Sequence, residues 1–419
     1  MSRVLISFLG TGPLNGHQRG EYREANYRFS ETGHEYTSPF VADVICEEYN
    51  IDKVILVGTM HSIWDGVYDH FSKKAGVDVD VQVWEDIYTQ CQNANNETPL
   101  GEIVHQAEIE RVLGEGSKLI PIHYGLNARE IEKNSTIIFG LEQYLDRGDD
   151  LIIDITHSFR SLPMYIMNLL VYLQNVSEKR LRIRHICYGM LDVAYEVGYA
   201  PIIELKDILR VNEWISGAYS FKRFGNADKI AELVRVADRN LSERLDLFSK
   251  TKNLNHLAEL ERQSQRLHLL LENNNLPDMA RMIISPVISD FIERLKIDPN
   301  SRYRHSDFQY KLALWQRSNH NYLAAYISLT EAIITRLCEH CDWDDPYQKE
   351  ARDNIKVNIR NEVYINTGWD VLYKDVSWRR NALAHNTMIN GRISTTPDKM
   401  VEDLRTLIRR YEELAGIRI

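Results

Sequence analysis

The stretch DLIIDITHSFRSLPMYIMNLLVYLQNVS (residues 150–177) changes character twice. Residues 150–156 form a short apolar run that reads as a buried strand. Residues 161–177 carry apolar side chains at helical spacing. Between the two lie Asp154, Thr156, His157, Ser158, Arg160 and Ser161, six polar side chains at a strand-to-helix turn. In open α/β sheets ligands collect beyond the carboxyl ends of the strands. The helix N-terminus that follows favours an anion, and Arg160 can grip a phosphate at two points. An Asp and a Ser that merely cap the helix account for only part of this set. The stretch therefore predicts a ligand site on a parallel sheet.

The pattern extends outward. RVLISFLG (3–10), KVILVGT (53–59) and KLIPIHYG (118–125) repeat the strand signature, with helical patterns over 39–49, 64–76, 101–116 and 135–148. RIRHICYGML (182–191) and VGYAPIIELK (197–206) alternate and predict a hairpin-like edge. The succession predicts a mostly parallel, Rossmann-like sheet with helices on both faces. From about residue 205 helical periodicity takes over, beginning with a long helix over 205–225 and breaking at 273–278, 297–308 and 341–346. The expected fold class is α/β plus all-α: a sheet domain over 1–205, a linking helix over 206–228 and a helical domain over 229–419.

Composition sets bounds. A chain of 419 residues, 44% hydrophobic and 26% charged, has room for two or three domains with real cores. No run of about 18 apolar residues predicts a membrane span, and the N-terminus lacks the pattern of a signal peptide, so a cytoplasmic protein with no membrane partner is expected. Five cysteines, an odd number, do not make a disulfide framework. Cys338 and Cys341 in CEHC lack a second Cys pair and read as helix cysteines rather than zinc ligands. The net charge of −10 divides into −11 for residues 1–225 and +1 for the rest. Neither half has the basic excess of a general nucleic-acid binder, so a polyanion would have to be held by a local patch.

Two further strand ends offer polar groups. GTGPLNG (10–16) supplies Gly10, Thr11 and Gly12, either as an anion-facing loop or as an ordinary tight turn. GTMHSIWD (58–65) supplies Thr59, His61, Ser62 and Trp64. The tryptophan could stack on a base, or open the next helix and pack inward.

An Arg five residues before a His occurs twice, at Arg180/His185 and Arg380/His385; random placement of 33 Arg and 14 His gives about one. The first pair lies in KRLRIRHICYG, where alternation predicts a strand; there the two side chains face opposite sides roughly 16 Å apart and cannot share a phosphate. The second lies in WRRNALAHN (378–386), in a helical region. Asn381 and His385 share a face at i and i+4. Arg380 and His385 diverge by about 140°, although a long Arg near a helix start can bend back; Asp375 or Ser377 would be the cap. A two-fold dimer would bring two such pairs together.

The segment DITHSFRS resembles the Asp-x-Thr-His-Gly-x-Arg signature of CRISPR-associated proteins with a CARF domain, with Ser158 in place of the glycine. A sensor domain followed by a helical domain is the arrangement of that family's ribonucleases, whose HEPN domain carries Arg-x4-His with Asn after the Arg: here Arg380, Asn381 and His385. The resemblance implies a CARF domain over 1–205 and a HEPN nuclease within 229–419. It implies a homodimer or higher even oligomer that binds a cyclic oligoadenylate, with cyclic tetra-adenylate favoured. The contacts would come from Gly10, Thr11, Gly12, Thr59, His61, Trp64, Asp154, Thr156, His157, Ser158 and Arg160, with Arg19 or Arg23 as further donors. The ligand would activate cleavage of single-stranded RNA in antiviral defence, without cofactor or metal. His385 can move protons near neutral pH, Arg380 can stabilise the phosphorane and Asn381 can orient either. Attack by the 2′-hydroxyl would leave a 2′,3′-cyclic phosphate and a 5′-hydroxyl. Glu331, a charge in an apolar helical run, either orients the site or faces solvent. Two other readings are a sensor that linearises its own ligand, with Thr11, Thr59 or His157 positioning the 2′-hydroxyl, and a non-enzymatic ligand-sensing regulator.

Overall fold

Strand β1 (Arg3–Leu9) is buried from Val4 onward, as a strand must be when both faces of its sheet are covered. Its side chains alternate between two cores: Leu5 and Leu9 join one cluster, Val4, Ile6 and Phe8 the other. The computed structural model describes residues 1–12, 22–157, 161–272, 276–385, 388–389, 392–393 and 396–417, which form two units, Met1–Arg210 and Val211–Ile419.

In the first unit β1 is followed by β2 (Ala25–Phe29), β3 (Glu35–Ser38), α1 (Val41–Tyr49), β4 (Lys53–Gly58), α2 (Trp64–Lys74), α3 (Val81–Asn93), α4 (Gln106–Leu113) and β5 (Lys118–Pro121). Then come α5 (Ala128–Gly140), β6 (Asp150–Asp154), α6 (Leu162–Asn175), β7 (Arg182–Gly189), α7 (Ala194–Val197) and β8 (Ala200–Glu204). The sheet order is β3-β2-β8-β7-β6-β1-β4-β5. The run β7-β6-β1-β4-β5 is parallel throughout, which is the doubly wound order with its reversal between β1 and β6. Helix α6 buries Leu162, Ile166, Leu169, Leu170 and Leu173 at helical spacing against one face.

The expected edge lies elsewhere. β7 and β8 do pair antiparallel, but β2 adds to β8 in parallel and β3 closes the sheet. Tyr27 and Phe29 make β2 a buried strand; with only two core-facing residues the run was too short to stand out as a period of two.

The second unit is helical: α8 (Asp207–Phe224), α9 (Asp228–Val234), α10 (Arg239–Asn253), α11 (Leu257–Glu272), α12 (Asp278–Leu295), α13 (Arg304–Ser318), α14 (Tyr322–His340), α15 (Lys349–Arg360), α16 (Trp369–His385) and α17 (Pro397–Ala415), with short β9 (Met388–Ile389) and β10 (Arg392–Ile393) between the last two helices. Two cores meet at α13. Phe308, Leu312 and Trp315 join the cluster of α8–α12, while Tyr310 and Ala313 join that of α14–α17. Helix α8 is more than a connection, since Trp214 and Phe221 are buried in the first of these cores. α13 begins at Arg304, inside the stretch expected to break the helices.

Candidate functional site

The reversal between β1 and β6 opens a crevice at their carboxyl ends. Gly10 and Gly12 follow β1, and Thr156 and His157 follow β6. Gly12 has φ +54°, and a Cβ there would come within 2.9 Å of Ile63 Cδ1, so the loop needs a glycine. A cavity of about 380 Å³ is lined by Gly10, Thr11, Gly12, Thr59, Thr156 and His157 among others. A second, of about 390 Å³, shares Gly10, Gly12 and His157 and reaches Arg23, Asn26, Tyr195 and Tyr199.

Not every expected residue faces this space. Asp154 is fully buried beneath the turn; its carboxylate accepts from Ser7 Oγ at 2.5 Å and from the Thr156 backbone N–H at 2.9 Å. Burial raises its pKa despite those donors. It shapes the turn and does not line the cleft. Thr156 Oγ1 accepts from Gly189 N–H at 2.7 Å, pinning the turn to β7. His157 is half-buried and borders both cavities. Burial lowers its pKa, with Asp154 pulling the other way, so the ring is neutral at pH 7.

The turn after β4 is a brace. Ser62 Oγ donates to the carbonyl of Leu9 at 2.8 Å and accepts from Thr59 N–H at 2.9 Å. Trp64 is wholly buried and its indole N–H donates to the Thr59 carbonyl at 2.9 Å. The expectation that Trp64 stacks on a ligand base is overturned: the ring packs into the core, and Gly58 makes room for it, since a Cβ there would meet the indole at 2.8 Å. His61 turns away too, with Nδ1 2.7 Å from the carbonyl of Cys91. Of the four polar or aromatic residues of this turn, Thr59 and Ser62 line the cleft. Ser158, Arg160 and Arg19 lie outside the described residues. Ser161 makes no side-chain cap on α6, so simple capping does not explain that serine.

The second cavity includes the expected Arg23 and brings Tyr195 and Tyr199, which sequence reasoning missed. Arg23 donates to the Tyr195 hydroxyl at 3.0 Å, and the Arg28 guanidinium lies 3.9 Å from the centre of the Tyr199 ring. Tyr195 is 79% exposed, an aromatic face open at the rim. No local pattern distinguishes these tyrosines from the other 20 in the chain; the pairing of β2 with β8 brings them to the cleft.

In the helical unit α16 carries Arg380, Asn381 and His385 in its last turns. The expected cap is overturned: the helix starts at Trp369, so Asp375 and Ser377 sit inside it. Asp375 instead accepts from Arg410 at 2.7 Å. The two adjacent arginines differ. Arg379 donates through Nε to Asp403 at 2.8 Å and through Nη1 to the Asp375 carbonyl. Among the described residues Arg380 Nε is buried and has no hydrogen-bond partner, although buried donors are normally paired. Asn381 and His385 are exposed. Val371, 43% exposed, and Trp378, 38% exposed, stand fourteen and seven residues before His385 and share its helix face. Glu331 neither faces open solvent nor joins the motif; its carboxylate pairs with Arg352, which also donates to Thr335 Oγ1. The other match is a structural pair in name only. Arg180 precedes β7 with φ 53°, and His185 bonds Glu204 at 2.6 Å. Cys338 is buried and Cys341 exposed.

Comparison with known proteins adds three findings. Residues 4–192 match the CARF domain of the CRISPR system endoribonuclease Csx1. Residues 210–301 match the second domain of the CRISPR-associated protein MJ1674, a segment that coincides with α8–α12. The MJ1674 protein of Methanocaldococcus jannaschii is 31% identical over 98% of this chain, which spans 66% of the length of that relative. A solved structure of Enterococcus italicus Csm6, bound to cyclic hexa-2′-fluoro-hexa-dAMP, aligns with 100% of this chain and 96% of its own, at 11% identity and a TM-score of 0.33. Among the described residues no helix is long and apolar enough to cross a membrane.

Proposed function

This chain is a CARF-containing CRISPR-associated protein, and from that premise we propose that it is an RNA endonuclease switched on by a cyclic oligoadenylate. The observation that carries the catalytic assignment is the contrast at Arg379 and Arg380. Arg379 is spent on Asp403, while Arg380 keeps a buried Nε with nothing to donate to. Among the described residues nothing pairs with the Arg380 guanidinium, so its Nη groups are available for a charge-assisted contact to a phosphate.

His385 accepts the 2′-hydroxyl proton or delivers one to the 5′-oxygen that leaves. Arg380 stabilises the charge that grows on the phosphorane, and Asn381, on the His385 face, orients the phosphate or the imidazole. The helix sets Arg380 and His385 about 140° apart, so one chain completes neither role. The exposed Val371 and Trp378 beside His385 supply an apolar strip on which a second copy packs. The composite site then holds two of each residue, in a HEPN-like arrangement. The step needs no metal, and its products are a 2′,3′-cyclic phosphate and a 5′-hydroxyl.

The activator lies in the crevice over Gly10, Gly12, Thr156 and His157. This half of the chain is acidic and His157 is neutral, so backbone N–H groups and Arg23 hold the phosphates. Tyr195 and Tyr199 offer faces to adenine. Binding favours the state in which the nuclease residues align. Cyclic tetra-adenylate is the expected ring, its symmetry matching a protein two-fold.

The test is cleavage of single-stranded RNA by the full chain with and without cyclic tetra-adenylate, in EDTA. Activator-dependent cleavage is expected; if Arg380→Ala and His385→Ala both cleave like the parent protein, the assignment fails. A second reading rests on His157, which is neutral at pH 7 and borders both cavities: it can take the 2′-hydroxyl proton of the bound ring and linearise it. His385→Ala protein incubated with the ring should then release linear products, and adding His157→Ala should stop this.

A further inference from the structure

Three side chains used by neither site converge beside β8. Glu204 is its last residue, His185 lies on the neighbouring β7, and Glu31 stands in the turn after β2, whose Ser30 N–H donates to the Ile202 carbonyl. One ligand atom from each lies within 4.8 Å of the other two. Around a tetrahedral zinc, ligand atoms about 2.1 Å from the ion are roughly 3.4 Å apart, so closing the triangle on a cation takes small side-chain shifts.

The group is oriented from outside, as metal ligands usually are. Glu204 Oε1 accepts from the backbone N–H groups of Ile186 and Lys206, at 2.9 and 2.8 Å, which leaves Oε2 for His185. The imidazole is stacked on Tyr49, with ring centres 4.1 Å apart and planes at 16°. Among the described residues no Lys or Arg pairs with either carboxylate. Two carboxylates and one imidazole therefore meet in one corner, Glu31 exposed and the other two half-buried.

We propose that Glu31, His185 and Glu204 bind a divalent cation of the zinc class, for which a mixed imidazole and carboxylate set is suited. The bound ion ties the β2 turn to β7 and to the end of β8, and Glu204 in turn holds the Lys206 N–H at the root of α8. The role is structural. It is independent of the proposed nuclease chemistry, whose residues lie in the other unit, so RNA cleavage that survives EDTA neither supports nor opposes it.

The test uses the full chain stripped of metal, titrated with Zn²⁺ and followed by calorimetry and thermal melting. One equivalent should bind and raise Tm. Glu31 is exposed, so Glu31→Gln should leave the metal-free Tm unchanged while weakening Zn²⁺ by about tenfold or more, at least the loss that follows removal of an outer partner. His185→Gln should weaken it likewise. Absence of binding, or binding that both variants leave untouched, would overturn the site.

Discussion

The two places where an arginine stands five residues before a histidine make an instructive pair. Within β7, His185 is held by Glu204 and stacked on Tyr49, while Arg180 lies outside the strand. At the end of α16, His385 is exposed and Arg380 has a buried nitrogen with no partner. The spacing is identical and the surroundings are opposite. The first histidine is satisfied within the fold, while Arg380 keeps a donor that no described residue uses.

That contrast can be broken at several points. The largest effect should come from Arg380→Ala or His385→Ala, each lowering activated RNA cleavage by about a hundredfold or more with little change in Tm; a variant that melts early would instead show a structural residue. Next is Arg379→Ala, which leaves Asp403 with Lys399 as its remaining cation. Asp403 is 8% exposed, and Arg379 and Lys399 hold its pKa below the ordinary range against the effect of burial. The expected loss is about 2 kcal/mol of stability, or roughly 4–8 °C in Tm, with cleavage by the folded fraction kept. If cleavage falls as far as in Arg380→Ala while Tm stays put, the distinction between the neighbours is wrong. His185→Gln should leave activated cleavage at the parent level, because that pair takes no part in the chemistry; a hundredfold loss there would reverse the assignment of the two pairs.

The smallest effect is in acid. Burial would raise the Glu204 pKa, but His185 and two backbone N–H groups win and hold it below its ordinary value. The folded chain then binds fewer protons at this site than the unfolded chain. Its contribution to stability is present above the ordinary carboxylate range and lost as pH falls through the lowered folded value. Urea melts of the parent and Glu204→Gln, compared from neutral pH down into that range, should differ in slope, with the variant the flatter.

Much of the first unit was legible in the sequence, and the reasons are local. β1, β4, β5 and β6 are short apolar runs ended by turn residues, and that pattern survives burial on both faces. The cleft was legible at Gly10, Gly12, Thr156 and His157 because they sit one to three residues past strand ends. Trp64 and His61 misled for the same reason. A position after a strand says that a side chain is near the crevice, and packing alone says which way it turns. Tyr195 and Tyr199 left no trace, because β2 reaches them by pairing with a strand some 170 residues away.

By itself the sequence determined the strand and helix periods, the change from α/β to all-α near residue 205, and the short list of polar groups at strand and helix ends. Those follow from side-chain spacing along one element, which is a local property. The tertiary structure alone decided that β2 and β3 extend the sheet, that Trp64 is core, that Asp154 supports the turn from below, and that Arg379 is paired where Arg380 is not. Each of these depends on which distant donors and acceptors arrive within hydrogen-bonding distance, and a buried polar group takes its role from the partner it finds or lacks.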